Sequence, residues 1–393
     1  MSAGETDVLV VGAGPAGSAV AAHLARAGRR VMLVEAHHHP RPKACAEYAS
    51  PRIVRELHRL GMTQVAWRAD ALPLEGMQLR LGSVELPIRY HDRRGARTAW
   101  GLERERFDSA LAAHARSLGA ELVEDARVVD LISDEGRVAG ARTTSRAGEQ
   151  RIHARWVIGA DGARSTVARR LGVERPVVAP RRLGLVAHYS GTDTLQDHGE
   201  MHVADGWYVG LAPLAGGRLN VGMALPLRSD DRRPAEERFA AAIAGIPAVA
   251  RRLDGAQRIG PIRGVSPIGH RVSRAAGPGW MLVGDAAGFV DPFTGEGIYR
   301  ALRSARAAAA ALAEGDAGAE ARYLAERRAA FAAKDALTWL VQGMLAAPPV
   351  MRHAVRRLAA RPELALRLGS ALGDCRPATD ALSPAFLAAV LRP

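Results

Sequence analysis

Near its start the chain runs Asp7-Val8-Leu9-Val10-Val11 into Gly12-Ala13-Gly14-Pro15-Ala16-Gly17. An apolar run that meets closely spaced glycines and then a helix-forming stretch fits a buried strand, a tight turn and a helix packed back on the strand. Gly12 permits the turn, Gly14 and Ala16 leave room for a pyrophosphate, and Gly17 lets the helix approach the strand. The helix N-terminus then faces the phosphates, where free N–H groups and the dipole favour negative charge. Such a glycine spacing is a weak signal alone. Here Gly28 fits a helix stop, Arg30 to Val34 fits a second strand, and Glu35 ends it where an acid would bind ribose hydroxyls. The opening residues therefore predict a dinucleotide-binding α/β unit.

The rest of the chain reads as further layers around that unit. Met77 to Ile88 alternate around Gly82-Ser83, as a hairpin does. Phe107 to Leu118 is an amphipathic helix stopped at Gly119, and Leu122 to Thr143 reads as strands turning near Asp134-Glu135-Gly136. Trp156 to Gly162 is a buried strand ending in Asp161, and Leu183 to Leu225 holds several short strands of a mixed sheet, a plausible substrate wall. Gly279 to Asp285 returns to a buried strand, and a long alanine-rich helix follows Gly295. Beyond about residue 320 the pattern is helical, broken at Pro348-Pro349.

Composition narrows the function. The net charge is +13, yet Lys43 and Lys334 are the only lysines, so the excess is almost all arginine spread along the chain. With no basic stripe interleaved with aromatics, nucleic acid is not an expected partner; a mild attraction for anionic cofactors is. Cys45 and Cys375 are the only cysteines. They suggest no disulfide framework, and a reducing cytoplasm is the simple inference. No apolar run is long enough to cross a bilayer, and no signal-peptide pattern opens the chain.

Three further motifs bear on the cofactor. Arg104-Glu105-Arg106-Phe107-Asp108 opens a helix, Asp161-Gly162-Ala163-Arg164-Ser165 follows a strand, and Gly284-Asp285-Ala286-Ala287-Gly288 leads into Asp291-Pro292-Phe293-Thr294-Gly295-Glu296-Gly297-Ile298. In this order they resemble FAD-dependent enzymes of the aromatic-hydroxylase superfamily, the group A flavoprotein monooxygenases, over roughly residues 5 to 315. The resemblance implies FAD and a Rossmann-like fold of the glutathione-reductase type. Residues 1–75, 100–175 and 275–315 would form the FAD-binding domain. Residues 76–99 and 176–274 would form a substrate-binding mixed β-sheet domain, and 316–393 a helical C-terminal segment.

The resemblance also assigns roles. Gly12, Gly14, Gly17 and Glu35 would hold the ADP half of FAD, and Arg104 would approach the pyrophosphate or ribityl region. Asp161 would lie close to the cofactor, and Asp285, after Gly284, would hydrogen-bond the ribityl chain. Pro292 would sit near the reactive face of the ring. Gly295, Gly297 and Ile298 would start a helix pointing at the pyrimidine end, where backbone N–H groups stabilise the anionic reduced flavin. No second glycine fingerprint appears, so NAD(P)H would bind transiently as reductant, or a separate reductase would supply electrons.

Thr294-Gly295-Glu296-Gly297-Ile298-Tyr299 replaces the Gly-Gly-Gln-Gly type segment of ordinary aromatic hydroxylases and resembles the geranylgeranyl-reductase branch. Lys43-Ala44-Cys45-Ala46-Glu47-Tyr48-Ala49-Ser50-Pro51 resembles that branch's Cys-Gly-Glu segment, with Ala46 in place of the glycine. Cys45 is thus a candidate active-site thiol, or a small buried hydrophobe. The Tyr-x-Trp-x-Phe-Pro segment of archaeal isoprenoid reductases is matched by Tyr208-Val209-Gly210-Leu211-Ala212-Pro213, so Gly210 and Ala212 stand for two large aromatics and the pocket is reshaped. Gly206-Trp207 lacks the second tryptophan of tryptophan halogenases.

Two enzymatic expectations follow. The favoured one is a monooxygenase that hydroxylates or epoxidises a hydrophobic, aromatic or polyketide-like secondary metabolite through a flavin C4a-hydroperoxide. The alternative is an ene-reductase delivering flavin hydride to an alkene of an isoprenoid or related lipophilic substrate, with Cys45, Tyr48 or Tyr208 as the acid. A non-catalytic flavin-binding protein is the remaining class.

Lesser signals have plain readings. His37-His38-His39 lack metal-ligand spacing and are expected in a solvated loop near the adenine, with no metal site. Strand alternation turns only one of His188 and Tyr189 inward. Met351 to Leu368 carries arginines among alanines and leucines; it is expected to cover the substrate domain, with peripheral membrane contact as the other use. Trp339 and Met344 are expected to cap the pocket or pack in the core.

Overall fold

The computed structural model describes residues 5–63, 67–68, 71–179, 181–192, 197–228 and 230–392. The apolar strand Glu5–Val11 lies at the centre of a parallel sheet, between Val31–Val34 and Gly148–Gly159. Glu121–Val123 extends the sheet on one side and Trp280–Leu282 on the other. Val8 to Val11 are all buried, as the unbroken apolar run requires of a strand covered on both faces. The helices Pro15–Arg26, Arg104–Ser117 and Gly297–Ala313 pack together beside this sheet. The long strand Gly148–Gly159 serves two arrangements. Its first half pairs antiparallel with Arg137–Ser145, which pairs with Arg127–Asp134, and its second half joins the parallel core.

The glycine turn is as tight as its spacing predicts. Gly12 has φ +97°, and a Cβ there would stand 2.7 Å from the Ala160 carbonyl oxygen. A Cβ on Gly17 would stand 1.7 Å from the Gly12 carbonyl oxygen, so helix and strand touch through backbone alone.

The second sheet is mixed. Its order is Gln257–Val265, Arg182–Ser190, Arg218–Pro226, Tyr208–Leu214, His198–Val203, Gly76–Leu81, Val84–Asp92 and Gly95–Arg97. Only the pairing of His198–Val203 with Gly76–Leu81 is parallel. Gly76–Leu81 and Val84–Asp92 form the hairpin expected around Gly82-Ser83, with Leu81 opposite Val84. Alternation divides Tyr208–Leu214 between two cores. Val209 and Leu211 pack with Phe239 and Val249 of the helices Ala235–Ala244 and Pro247–Arg252. Tyr208 and Ala212 belong to the core that the C-terminal helices complete.

The C-terminal segment roofs that inner face. Its helices are Ala319–Ala346, Pro348–Ala359, Pro362–Leu372, Thr379–Leu382 and Pro384–Leu391. Pro348, Pro362 and Pro384 open helices, at positions where the missing N–H costs nothing. Helix Pro362–Leu372 lies directly on the strand Val84–Asp92: a Cβ on Gly369 would be 2.3 Å from the Arg89 carbonyl oxygen. Met351 to Leu368 therefore covers the substrate sheet as expected, with one helix ending at Ala359 and the next opening at Pro362.

Candidate FAD and substrate site

One continuous cavity of about 640 Å3 begins at the Gly12–Gly17 turn, passes the strand ends at Asp161 and Gly284, and reaches the inner faces of the C-terminal helices. Gly12, Gly14, Ala16, Glu35, Arg104, Asp161, Gly284, Asp285, Pro292, Gly295, Gly297 and Ile298 all line it, together with Cys45 and Tyr208. Gly17 lies beneath, as the packing contact already described.

The ADP end fits a dinucleotide. The helix Pro15–Arg26 starts at Gly14 and the helix Gly297–Ala313 at Glu296, both without a side-chain cap, so their first N–H groups are free for an anionic ligand. A Cβ on Gly14 would meet only Arg41 Nη2, at 3.4 Å, and one on Gly297 would meet nothing. Glu35 is buried at the end of its strand, where Oε2 accepts the Ala13 N–H at 2.8 Å and pairs with Arg41 Nη2 at 3.1 Å. Arg41 Nε is buried without a hydrogen-bond partner, a donor left over beside the phosphate cradle. His39 departs from its expectation. His38 is exposed, but His39 is held under the glycine turn by Glu124 Oε1 at 2.8 Å and the Ala13 carbonyl at 3.2 Å.

Three expected ligands are already engaged by the protein. Arg104 reaches the cavity wall, but its guanidinium is buried against Asp108, with Nε–Oδ1 at 2.8 Å and Nη2–Oδ2 at 2.9 Å. Burial alone would lower its pKa; Asp108 and Cys45 more than offset that and raise it. Arg104 thus spends Nε and Nη2 on Asp108 while lining the cavity. The Asp161 carboxylate accepts from Ser165 Oγ at 2.6 Å and the Thr166 N–H at 2.7 Å, capping the turn into the helix Thr166–Arg170. Burial raises its pKa against those hydrogen bonds. The Tyr208 hydroxyl donates to Asp291 Oδ1 at 2.6 Å. Burial, then the Asp291 charge, pushes the phenol well above its ordinary value, so it holds its proton tightly. Asp285, by contrast, is half-buried, and among the described residues its carboxylate makes no hydrogen bond.

Residues that the motifs contain but that were not singled out organise the centre. Glu47 is buried at φ +55°, a strained conformation for a glutamate. Its Oε1 accepts the Arg104 N–H at 2.7 Å, and Oε2 accepts from His188 Nε2 at 2.6 Å and Asn220 Nδ2 at 3.0 Å. Asn220 also binds the Cys45 carbonyl at 2.8 Å, so this cluster fixes the backbone that carries the thiol. His188 is the satisfied histidine of its strand, while Tyr189 packs on the far side. Lys334 is buried between Glu296, at 2.7 Å, and Asp374, at 3.3 Å, and donates to the carbonyls of Ala371 and Leu372. It ties the start of the helix Gly297–Ala313 to the roof. Burial pushes the Asp374 carboxyl up to about 7, although Lys334 pulls the other way.

The far end of the cavity is apolar. Gly210 and Ala212 face it from the sheet, and Val341, Met344, Met351 and Leu358 from the roof. A Cβ on Gly210 would come no closer than 3.6 Å, to Met201 Cε, so the small residues leave open volume. Tyr48 and Tyr90 join their hydroxyls at 2.8 Å in the same wall. Burial raises both phenols, Tyr90 to about 12. Met344 caps the cavity, but Trp339 neither caps it nor packs inside: it is 44% exposed. Among the described residues no group of three or more His, Cys, Asp and Glu could hold a metal ion.

A phosphate cradle at the end of a parallel sheet, continuous with an apolar chamber, defines a flavoprotein oxidoreductase. Residues 5–336 match the family model described as FAD binding domain, and the chain belongs to that family, in the geranylgeranyl-reductase-like branch of the FAD-dependent hydroxylase superfamily. It is 35% identical over 315 residues to a menaquinone reductase of Mycobacterium tuberculosis, covering 77% of this chain and 75% of that one. It is 31% identical over 326 residues to a digeranylgeranylglycerophospholipid reductase of Methanosarcina acetivorans, covering 80% and 77%. A crystal structure of a geranylgeranyl bacteriochlorophyll reductase-like protein from Thermoplasma acidophilum superposes with a TM-score of 0.78 at 26% identity, covering 91% of this chain and 92% of that one. The protein is an FAD-dependent oxidoreductase.

Proposed function

We propose that this protein reduces a carbon–carbon double bond in a lipophilic, prenyl-bearing substrate. The observation that carries this reading is the continuity of the cavity: one space touches Cys45, the turn Pro292–Gly297 and the methionine- and leucine-rich roof. The relatives named as reductases support it, and they shift the balance away from oxygenation. Bound in its reduced form, FAD supplies a hydride. Gly12, Gly14 and Glu35 would hold its ADP half, Asp285 its ribityl chain, and the start of the helix Gly297–Ala313 its pyrimidine end. Cys45 holds the proton that completes the addition at the second alkene carbon, and the Arg104 guanidinium balances the charge left on sulfur. The Glu47–Asn220 hydrogen bonds keep that thiol in place, and the apolar roof excludes water. Electrons come from NAD(P)H, bound transiently, or from a separate reductase.

Gly210 and Ala212 favour a second reading, oxygenation of a broad ring system, because they widen the chamber where prenyl-chain reductases carry aromatics. One experiment separates the two. The FAD-loaded protein is reduced chemically and mixed with menaquinone or with a digeranylgeranyl lipid, with and without oxygen, and products are weighed by mass spectrometry. A gain of two hydrogens without oxygen, retained after any quinone ring is reoxidised, supports alkene reduction. A gain of one oxygen atom, seen only with oxygen present, supports the second reading and sinks the first.

A further inference from the structure

From Ala336 to Met351 the chain carries no charged residue, although 24% of all its residues are charged. The run spans the end of the helix Ala319–Ala346 and the start of Pro348–Ala359. Its inner face is accounted for: Leu337, Val341, Leu345 and Met351 are buried in the core beneath the roof. Its outer face is not. Ala336, Trp339, Gly343 and Ala346 recur at helical spacing and are all exposed, and Pro349 and Val350 continue the stripe past the helix end. Trp339 is 44% exposed and Val350 42%. A helix face turned to water ordinarily carries charges, so this stripe is built for a cover.

The rim says what covers it. The helix Pro348–Ala359, which continues the stripe, carries Arg352, Arg356 and Arg357 and no acid. Arg356 is exposed and makes no ion pair among the described residues. Arg352 meets Asp205 at 3.2 Å in an open, water-screened pair. The exposed Leu391 and Arg392 stand beside the stripe, since His353, one turn after Val350, hydrogen-bonds the Arg392 carbonyl at 3.2 Å. A second copy would bring the same arginines to the same face and be repelled. An apolar ridge with an indole and an arginine rim fits an anionic lipid surface.

We infer that the ridge Ala336–Val350 docks on anionic membrane, one helix diameter from the apolar chamber that the same helices line. This moves the membrane-facing surface away from Met351–Leu368, whose apolar residues are spent on the hairpin. The inference does not depend on whether the enzyme reduces or oxygenates its substrate.

The test is flotation of the FAD-loaded full chain with vesicles of phosphatidylcholine alone or with about one quarter phosphatidylglycerol. The expected result is binding to the anionic vesicles, weakened at about 0.5 M salt, and reduced about tenfold or more in Trp339→Glu/Val350→Glu. Flavin content and melting temperature should stay unchanged, because both side chains are exposed. Arg356→Glu should weaken binding to anionic vesicles only. Failure of the wild type to float with either vesicle, or equal flotation of the double variant, overturns the inference. So does a dimer in sedimentation that the double variant dissociates, with no vesicle binding, which would make the ridge an interface between copies.

Discussion

The Tyr208 hydroxyl donates a 2.6 Å hydrogen bond to Oδ1 of Asp291, joining the floor of the substrate sheet to the turn that leads into the flavin-facing helix. Oδ2 of the same carboxylate accepts from Arg182 Nη1 at 2.7 Å, and Oδ1 also takes the Phe293 N–H at 3.0 Å. The phenol therefore positions this turn instead of standing free as an acid. Tyr208→Phe should cost about 1–2 kcal/mol of stability, measured by chemical denaturation, and leave turnover within a few-fold. Cys45→Ala should do the reverse: near-native stability and flavin spectrum, with turnover down about a hundredfold or more. Loss of turnover in Tyr208→Phe, with Cys45→Ala still active, would mean that Tyr208, not Cys45, is the acid.

Gly14 and Gly17 should separate binding from folding. A Cβ on Gly17 collides with backbone at 1.7 Å, so Gly17→Ala should express poorly or melt well below wild type. A Cβ on Gly14 meets only a flexible arginine tip at 3.4 Å. Gly14→Ala should fold, with FAD affinity reduced about tenfold or more by titration of the apoprotein.

Gly210→Trp restores a large aromatic to the cavity wall. A Cβ there would first meet the Met201 methyl at 3.6 Å, and the ring beyond it would enter the cavity that Gly210 lines, so the fold should accept it with full flavin content. Turnover of a bulky substrate should fall, chiefly through a raised KM. An unchanged KM across substrates of different width would remove Gly210 from the chamber.

Asp374 gives the protein a pH-dependent stability of predictable sign. Its carboxyl is pushed up to about 7 by burial, against an ordinary 3.8. The native state thus keeps a proton that the unfolded chain has released, and the stability this contributes is complete below about pH 4 and lost as pH rises through about 7. Asp374→Asn keeps the neutral form at every pH, and asparagine tolerates the φ of +59° found there. The melting temperature of the variant relative to wild type should therefore rise between pH 5 and 8, by roughly 5 °C. A constant difference across that range would show that Asp374 is ionised throughout.

What the sequence determined by itself is local. The turn Gly12–Gly17, the acid at Glu35, the hairpin around Gly82-Ser83 and the helix starting at Gly297 follow from short-range sterics and periodicity, and all stand where the residues predict. Even the chamber was partly legible, because Gly210 and Ala212 share an alternation phase with Tyr208. Tertiary structure decided the partners. Glu47 met His188 across 141 positions and Asn220 across 173, and Tyr208 met Asp291 across 83. Lys334 became the link between the flavin-facing helix and a roof that no motif announced. The reason is physical: a buried polar group must find a partner, but which one it finds depends on where packing brings distant segments together, and no spacing along the chain encodes that distance.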